Sequence, residues 1–203
     1  QYDYDALDRL VKTTHPDGNS SDWTYDALGN VRSSTDPGAN VYYYDYDSIY
    51  RLTSYADPTG NVTSYGYDNN GNIISYNDPN GNITLYGYDM LDRLNRIDDP
   101  LGNYSTRDYD GIGNIISYTD RRLNTWTYNY DLNGRLLGEI DPLGNAATYQ
   151  YDAEGNVLGR TNEDNDTWLF SYDGLGRLVR STCPYGFSTN YTYGSVGNLL
   201  EVE

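Results

Sequence analysis

Apolar and polar positions alternate along this chain in short bursts separated by turn residues. In Asn61–Tyr67, Thr63, Tyr65 and Tyr67 alternate with Val62, Ser64 and Gly66, the period of two that a strand requires. Asp68-Asn69-Asn70-Gly71-Asn72 then reads as a turn. Its glycine supplies positive φ, and its aspartate can accept a bond from the backbone two residues on. Ile73–Tyr76 reads as the return strand. Asp78-Pro79-Asn80-Gly81 reads as a second turn, with proline presetting the first corner and glycine closing the last. Each unit therefore predicts two short strands and two turns. No stretch escapes glycine, proline or Asn-Gly long enough to form three turns of helix.

This unit recurs every 21 residues without an insertion. The motif tyrosines are Tyr4, Tyr25, Tyr46, Tyr67, Tyr88, Tyr109, Tyr130, Tyr151, Tyr172 and Tyr193, and all but the last are followed by aspartate. Five residues after each stands Arg9, Arg51, Arg93, Arg135 or Arg177, alternating strictly with Asn30, Asn72, Asn114, Asn156 and Asn198. The true period is thus 42, two subunits of different type. Two of the second turns lose proline and glycine, becoming Asp120-Arg121-Arg122-Leu123 and Asn162-Glu163-Asp164-Asn165, and with them a preset φ and a free positive-φ position.

Nearly ten units predict about 19–20 strands, which would make a flat sheet about 90–95 Å wide. Twisted open sheets rarely exceed about ten strands without curling or splitting. The expected architecture is all-β: hairpins wound into a spiral, a hollow shell or tube, with a tyrosine row inside as its core and a polar face outside. The alternative is a five-bladed β-propeller, since a 42-residue unit of four strands has the length of a blade. Residues 1–203 read as one array of about nine and a half repeats, uncapped at both ends.

Composition narrows the functions. Leu, Ile, Val and Phe make up just under a fifth of the chain, which with a net charge of −17 would ordinarily signal disorder. The 25 tyrosines supply the missing apolar surface. The charge argues against nucleic acid and anionic membranes as partners. No apolar run approaches the roughly 18 residues of a membrane helix. A single cysteine and a single histidine exclude an internal disulfide, a cysteine-rich zinc site and a histidine cluster. The absence of an initiator methionine and of a signal peptide points to a mature product or a piece of something longer.

The units resemble the RHS or YD repeat proteins, whose pattern is Tyr-Asp-x-x-Gly-Arg-Leu, a turn, and a return strand ending in Tyr-x-Tyr-Asp. Tyr130-Asp131-Leu132-Asn133-Gly134-Arg135-Leu136 and Tyr172-Asp173-Gly174-Leu175-Gly176-Arg177-Leu178 match in full. Around Arg9 and Arg93 aspartate replaces the glycine, and the other subunit carries asparagine for arginine. The resemblance covers the whole chain. It implies hairpins wound as a hollow shell in secreted or cell-surface proteins. In bacterial members the shell encloses a toxin; in animal relatives a similar barrel serves adhesion.

Candidate chemistry is sparse. His15 and Cys183 stand where most units have the aspartate before proline, and both read as turn substitutions. The acidic turn Glu163–Asp166 could hold Ca²⁺, but there is no EF-hand or calcium-roll pattern; the turn carboxylates read as acceptors of backbone bonds in their own turns, and no metal or cofactor is expected. The five motif arginines read as forks onto carboxylates of neighbouring turns. Sequons at Asn19, Asn61, Asn82, Asn103, Asn165 and Asn190 are possible glycosylation sites, though turn asparagine followed by strand Ser or Thr creates the pattern automatically.

The expectation is a non-enzymatic structural protein, extracellular or at the cell surface. It would be a segment of a longer shell, or would stack end to end with itself or adjoining repeats into a tube or filament. The rivals are a fragment of a toxin-encapsulating shell and a carbohydrate-binding module that uses Trp23, Trp126, Trp168 and the tyrosines as sugar-stacking faces.

Overall fold

The computed structural model describes all 203 residues as twenty strands joined by tight turns, with no helix. They fall into two compact units, Gln1–Tyr104 and Ser105–Glu203. In the first, the strands from Tyr2–Tyr4 to Leu94–Asp98 each pair antiparallel with their neighbours in sequence. The second repeats this serial order up to Leu199–Val202. Serial pairing rules out the propeller. A blade boundary would have to break the ladder after every fourth strand, yet Thr35↔Val41 and Asn77↔Ile83 continue it.

Both turns of a unit are built alike. The Asp68 N–H donates to the Asn72 carbonyl at 3.0 Å, and the Gly71 N–H to the Asp68 carbonyl at 3.3 Å. Asp57 and Asn61 repeat the first of these at 2.9 Å in the proline turn. The hairpin closed by Tyr-Asp also carries a bulge: Gly66 faces Ser75 and Tyr67 faces Ile73, so Ile74 has no partner across the ladder.

The fourth turn position is left-handed throughout, which is why glycine recurs there, as at Gly71 (φ 98°). Six turns hold this conformation without glycine at that position, among them Leu123 (φ 65°) and Asn165 (φ 64°) in the two second turns that lack both proline and glycine. A leucine there is strained by its Cβ, and Leu123 is 63% exposed, so its side chain returns little. Leu123→Gly is therefore expected to stabilise the protein by about 1 kcal/mol, seen as a raised melting temperature. A lowered one would mean that the leucine makes a contact worth more than its strain.

A single layer of strands leaves no place for a sealed core. Ala147 (1% exposed) is the one fully buried apolar residue, with Thr63 and Ser105 the buried polar ones. This corrects the expectation that the motif tyrosines form a core. From Tyr25 to Tyr193 they are half-buried, and Tyr4 is exposed.

The faces nonetheless differ. One carries the motif tyrosines and, two residues before each, a second row: Tyr2, Trp23, Tyr44, Tyr65, Tyr86, Arg107, Tyr128, Tyr149, Phe170 and Tyr191. Rings meet across it, with centroids 5.5 Å apart for Tyr44 and Tyr55, 5.7 Å for Tyr65 and Tyr76, and 5.7 Å for Tyr118 and Trp126. The other face is largely small and polar, as in the pairs Ser54↔Ser64, Ser64↔Asn77 and Gly66↔Ser75.

Candidate functional site

A carboxylate stands at the first position of fifteen of the nineteen turns. Asp47 Oδ1 accepts the backbone N–H groups of Ile49 and Arg51, each at 3.0 Å, and its Oδ2 accepts Arg51 Nε at 2.7 Å. Asp68 repeats the arrangement with the N–H groups of Asn70 and Asn72 and with Asn72 Nδ2. Asp57 does so in the proline turn and also accepts the Thr59 hydroxyl at 2.7 Å. The Thr59 hydroxyl and the Asn61 amide hold the Asp57 carboxyl at about 2. In Asp5 the Arg9 side chain is the largest cause of a shift in the same direction.

The motif arginines thus bind the carboxylate of their own turn. Arg9, Arg51, Arg93, Arg135 and Arg177 pair with Asp5, Asp47, Asp89, Asp131 and Asp173, four residues back. This corrects the expectation of a fork onto a neighbouring turn. Turn closure brings the fifth position back over the first, so the nearest carboxylate is local.

The guanidinium has a second reach that asparagine lacks. Arg51 Nη1 donates to the Asp68 carbonyl of the next hairpin at 2.8 Å, and Arg135 Nη1 to that of Asp152 at 2.8 Å. The same groups lie over the ring of the next motif tyrosine, 4.5 Å from the Tyr67 centroid and 4.9 Å from that of Tyr151. Arg9 and Arg177 do likewise over Tyr25 and Tyr193. Within each compact unit the hairpins of Arg9, Arg51, Arg135 and Arg177 are thereby clamped to the asparagine-type hairpin that follows, which accounts physically for the period of 42.

A second tie runs the opposite way in both types. The motif tyrosine hydroxyl donates to a backbone carbonyl fifteen residues back, Tyr25 to Leu10 at 2.7 Å, Tyr67 to Leu52 at 2.8 Å and Tyr151 to Leu136 at 2.8 Å. Tyr88, Tyr130, Tyr172 and Tyr193 bond alike.

The RHS repeat pattern matches residues 4–41, 25–62, 46–83, 67–104, 109–146, 130–167 and 151–189. The chain belongs to the RHS repeat family. Among solved structures, the pore form of the Photorhabdus luminescens Tc holotoxin is similar over 99% of this chain and 15% of that one, at 15% identity and a TM-score of 0.54. The TcdB2–TccC3–Cdc42 complex is similar over all of this chain and 16% of that one, at 14% identity and a TM-score of 0.41. The first of these likenesses shows a shared fold. The chain spans about 15% of the length of the Tc chain it resembles. No curated protein matches it.

Within this RHS array the sequence candidates take ordinary places. His15 is half-buried with Nε2 3.1 Å from the Ser21 hydroxyl, and Cys183 is a half-buried free thiol. Both turns keep their backbone bonds without the carboxylate, as Cys183 N–H to the Phe187 carbonyl at 2.9 Å shows. No group of three or more His, Cys, Asp or Glu side chains is placed to hold a metal ion. No helix is long and apolar enough to cross a membrane.

All six sequon asparagines are exposed, but several serve their turns. Asn61 Nδ2 bonds both Asp57 and Thr59, and Asn82, Asn103 and Asn19 bond Asp78, Asp99 and Asp17. A sugar on Nδ2 would remove one of the two donors that Asn61 uses. The residue that the repeat logic passed over is Arg107. Its signal was positional: an arginine in a row that is otherwise aromatic.

Proposed function

We propose that this chain is a stretch of wall from an RHS shell, a non-enzymatic scaffold whose aromatic face lines a closed interior. The carrying observation is that uninterrupted hairpins present one aromatic and one polar face while sealing almost no side chain between them. Such a layer encloses something only by curving on itself and joining further repeats, and its residues read as one continuous array. Membership of the RHS family and a fold shared with a Tc holotoxin chain support an encapsulating role. On this reading the partners are adjoining repeats, the setting is extracellular, and the cargo is a toxin or similar guest.

The flanking coding sequence, expressed with this stretch, gives the test. Further 21-residue repeats and hollow particles by electron microscopy are expected. Particles without an internal cavity would refute the shell. Long end-to-end threads would instead favour a filament.

A further inference from the structure

Arg107 departs from its surroundings in chemistry as well as in sequence. Its Nη1 is buried and has no hydrogen-bond partner. The guanidinium carbon lies 5.4 Å from the centroid of the Tyr118 ring, a contact that satisfies no N–H. The motif arginines all place this group on an aspartate; Arg107 stands across the ladder from Tyr118 instead. A guanidinium stays charged at any relevant pH and carries five N–H donors, so leaving one buried and unmet is costly. Nη1 is itself closed to a ligand, and the Nε–Nη2 edge is the side of the fork that a carboxylate would meet.

The space beside it has a defined character. Arg107, Ile115, Tyr118, Tyr128 and Tyr130 line an open cavity of about 290 Å³. The Tyr130 hydroxyl is already committed to the Ile115 carbonyl at 2.9 Å. The walls are therefore ring faces and an aliphatic side chain, with one cationic fork at the edge. Rings favour a flat apolar body, and the fork matches the two oxygens of a carboxylate. The small cavity and the net charge of −17 both disfavour a polyanion.

We propose that this cavity binds an aryl carboxylate, with Arg107 holding the carboxylate and the ring resting against Tyr118 and Tyr128. The site is independent of whether the repeats close into a shell.

Benzoate is the probe. Titrating it into the intact chain, followed by calorimetry and by ¹⁵N NMR of arginine Nε–H groups, should give one saturable site in the millimolar range that moves the Arg107 signal. Arg107→Tyr, which supplies the residue most common in the row, should weaken binding by about tenfold or more. Arg107→Lys keeps the charge without the fork and should fall between. Benzyl alcohol should not bind in this range, and acetate should bind more weakly than benzoate. Equal affinity in Arg107→Tyr and the unaltered protein, or no saturation in the millimolar range, would overturn the site. Acetate binding as tightly as benzoate would overturn the aryl assignment. Should Arg107→Tyr melt at a lower temperature, Arg107→Gln makes the same comparison.

Discussion

Tyr67→Ala is expected to destabilise the protein by about 2–4 kcal/mol, and Tyr67→Phe by about 0.5–1.5 kcal/mol. Full burial would place the alanine variant at about 3–5 kcal/mol. The half-buried ring brings this down, while two specific losses hold it up. The hydroxyl bond to the Leu52 carbonyl disappears, and Arg51 loses the ring beneath its guanidinium. Arg51→Ala removes the second of these, its pair with Asp47 and its bond to the Asp68 carbonyl but leaves the ring in place, for about 1–2 kcal/mol. Urea unfolding of the three variants checks the order Tyr67→Ala, then Arg51→Ala, then Tyr67→Phe. A cost below about 1 kcal/mol for Tyr67→Ala would mark the tyrosine row as surface decoration.

Acid should unfold this protein over a narrow span. The turn aspartates have carboxyls held below the ordinary value by bonds that the ionised form accepts more strongly, Asp57 at about 2 and Asp5, Asp68, Asp131 and Asp173 in the same direction. For a lowered carboxyl the stabilisation is complete above its unfolded value of about 4. It is lost as pH falls through the folded value, here toward about 2.

A contrary effect acts in the same span, because protonation also relieves the repulsion of a chain at net −17. The repulsion is spread over the surface and is screened beyond about 8 Å at physiological salt, whereas the turn bonds are direct contacts. The bonds should win. Melting temperature in physiological salt is expected to be nearly flat from about pH 8 to 5 and to drop steeply below about pH 4. A melting temperature that holds or rises between about pH 4 and 2 would show repulsion to be the larger effect.

Strands and turns were legible in the sequence because every unit states them again. A period of two between Asn61 and Tyr67, then Asp-Pro and Asn-Gly at fixed offsets, leaves few ways to fold. The bond from Asp68 to the backbone two residues on was legible for the same reason, being local. Burial was not. The depth of a tyrosine depends on a second layer, and nothing in a 21-residue repeat says whether one exists. The arginine partner was misread because charge complementarity alone does not say that turn closure sets Asp47 against Arg51. The alternation of Arg and Asn showed that neighbouring hairpins are inequivalent; only the geometry of Arg51 above Tyr67 gives the cause.

That geometry also sets the step by which such a gene can lengthen or shorten. Removing 42 residues leaves every surviving neighbour facing the kind of hairpin it faced before. Removing 21 does not. It sets two arginine-type or two asparagine-type hairpins side by side. Arg9 and Arg135 now lie against Gly29 and Gly155, whose missing side chains would come within 4.0 and 3.8 Å of the guanidinium. The equivalent place is filled by Asp8, Tyr50 or Asp92 in three of the five arginine-type hairpins and is Gly134 or Gly176 in the other two, whereas every asparagine-type hairpin has glycine there. Recombination between repeats would therefore leave viable descendants mainly in whole multiples of the double unit, and natural length variants of this array should differ by 42 residues far more often than by 21.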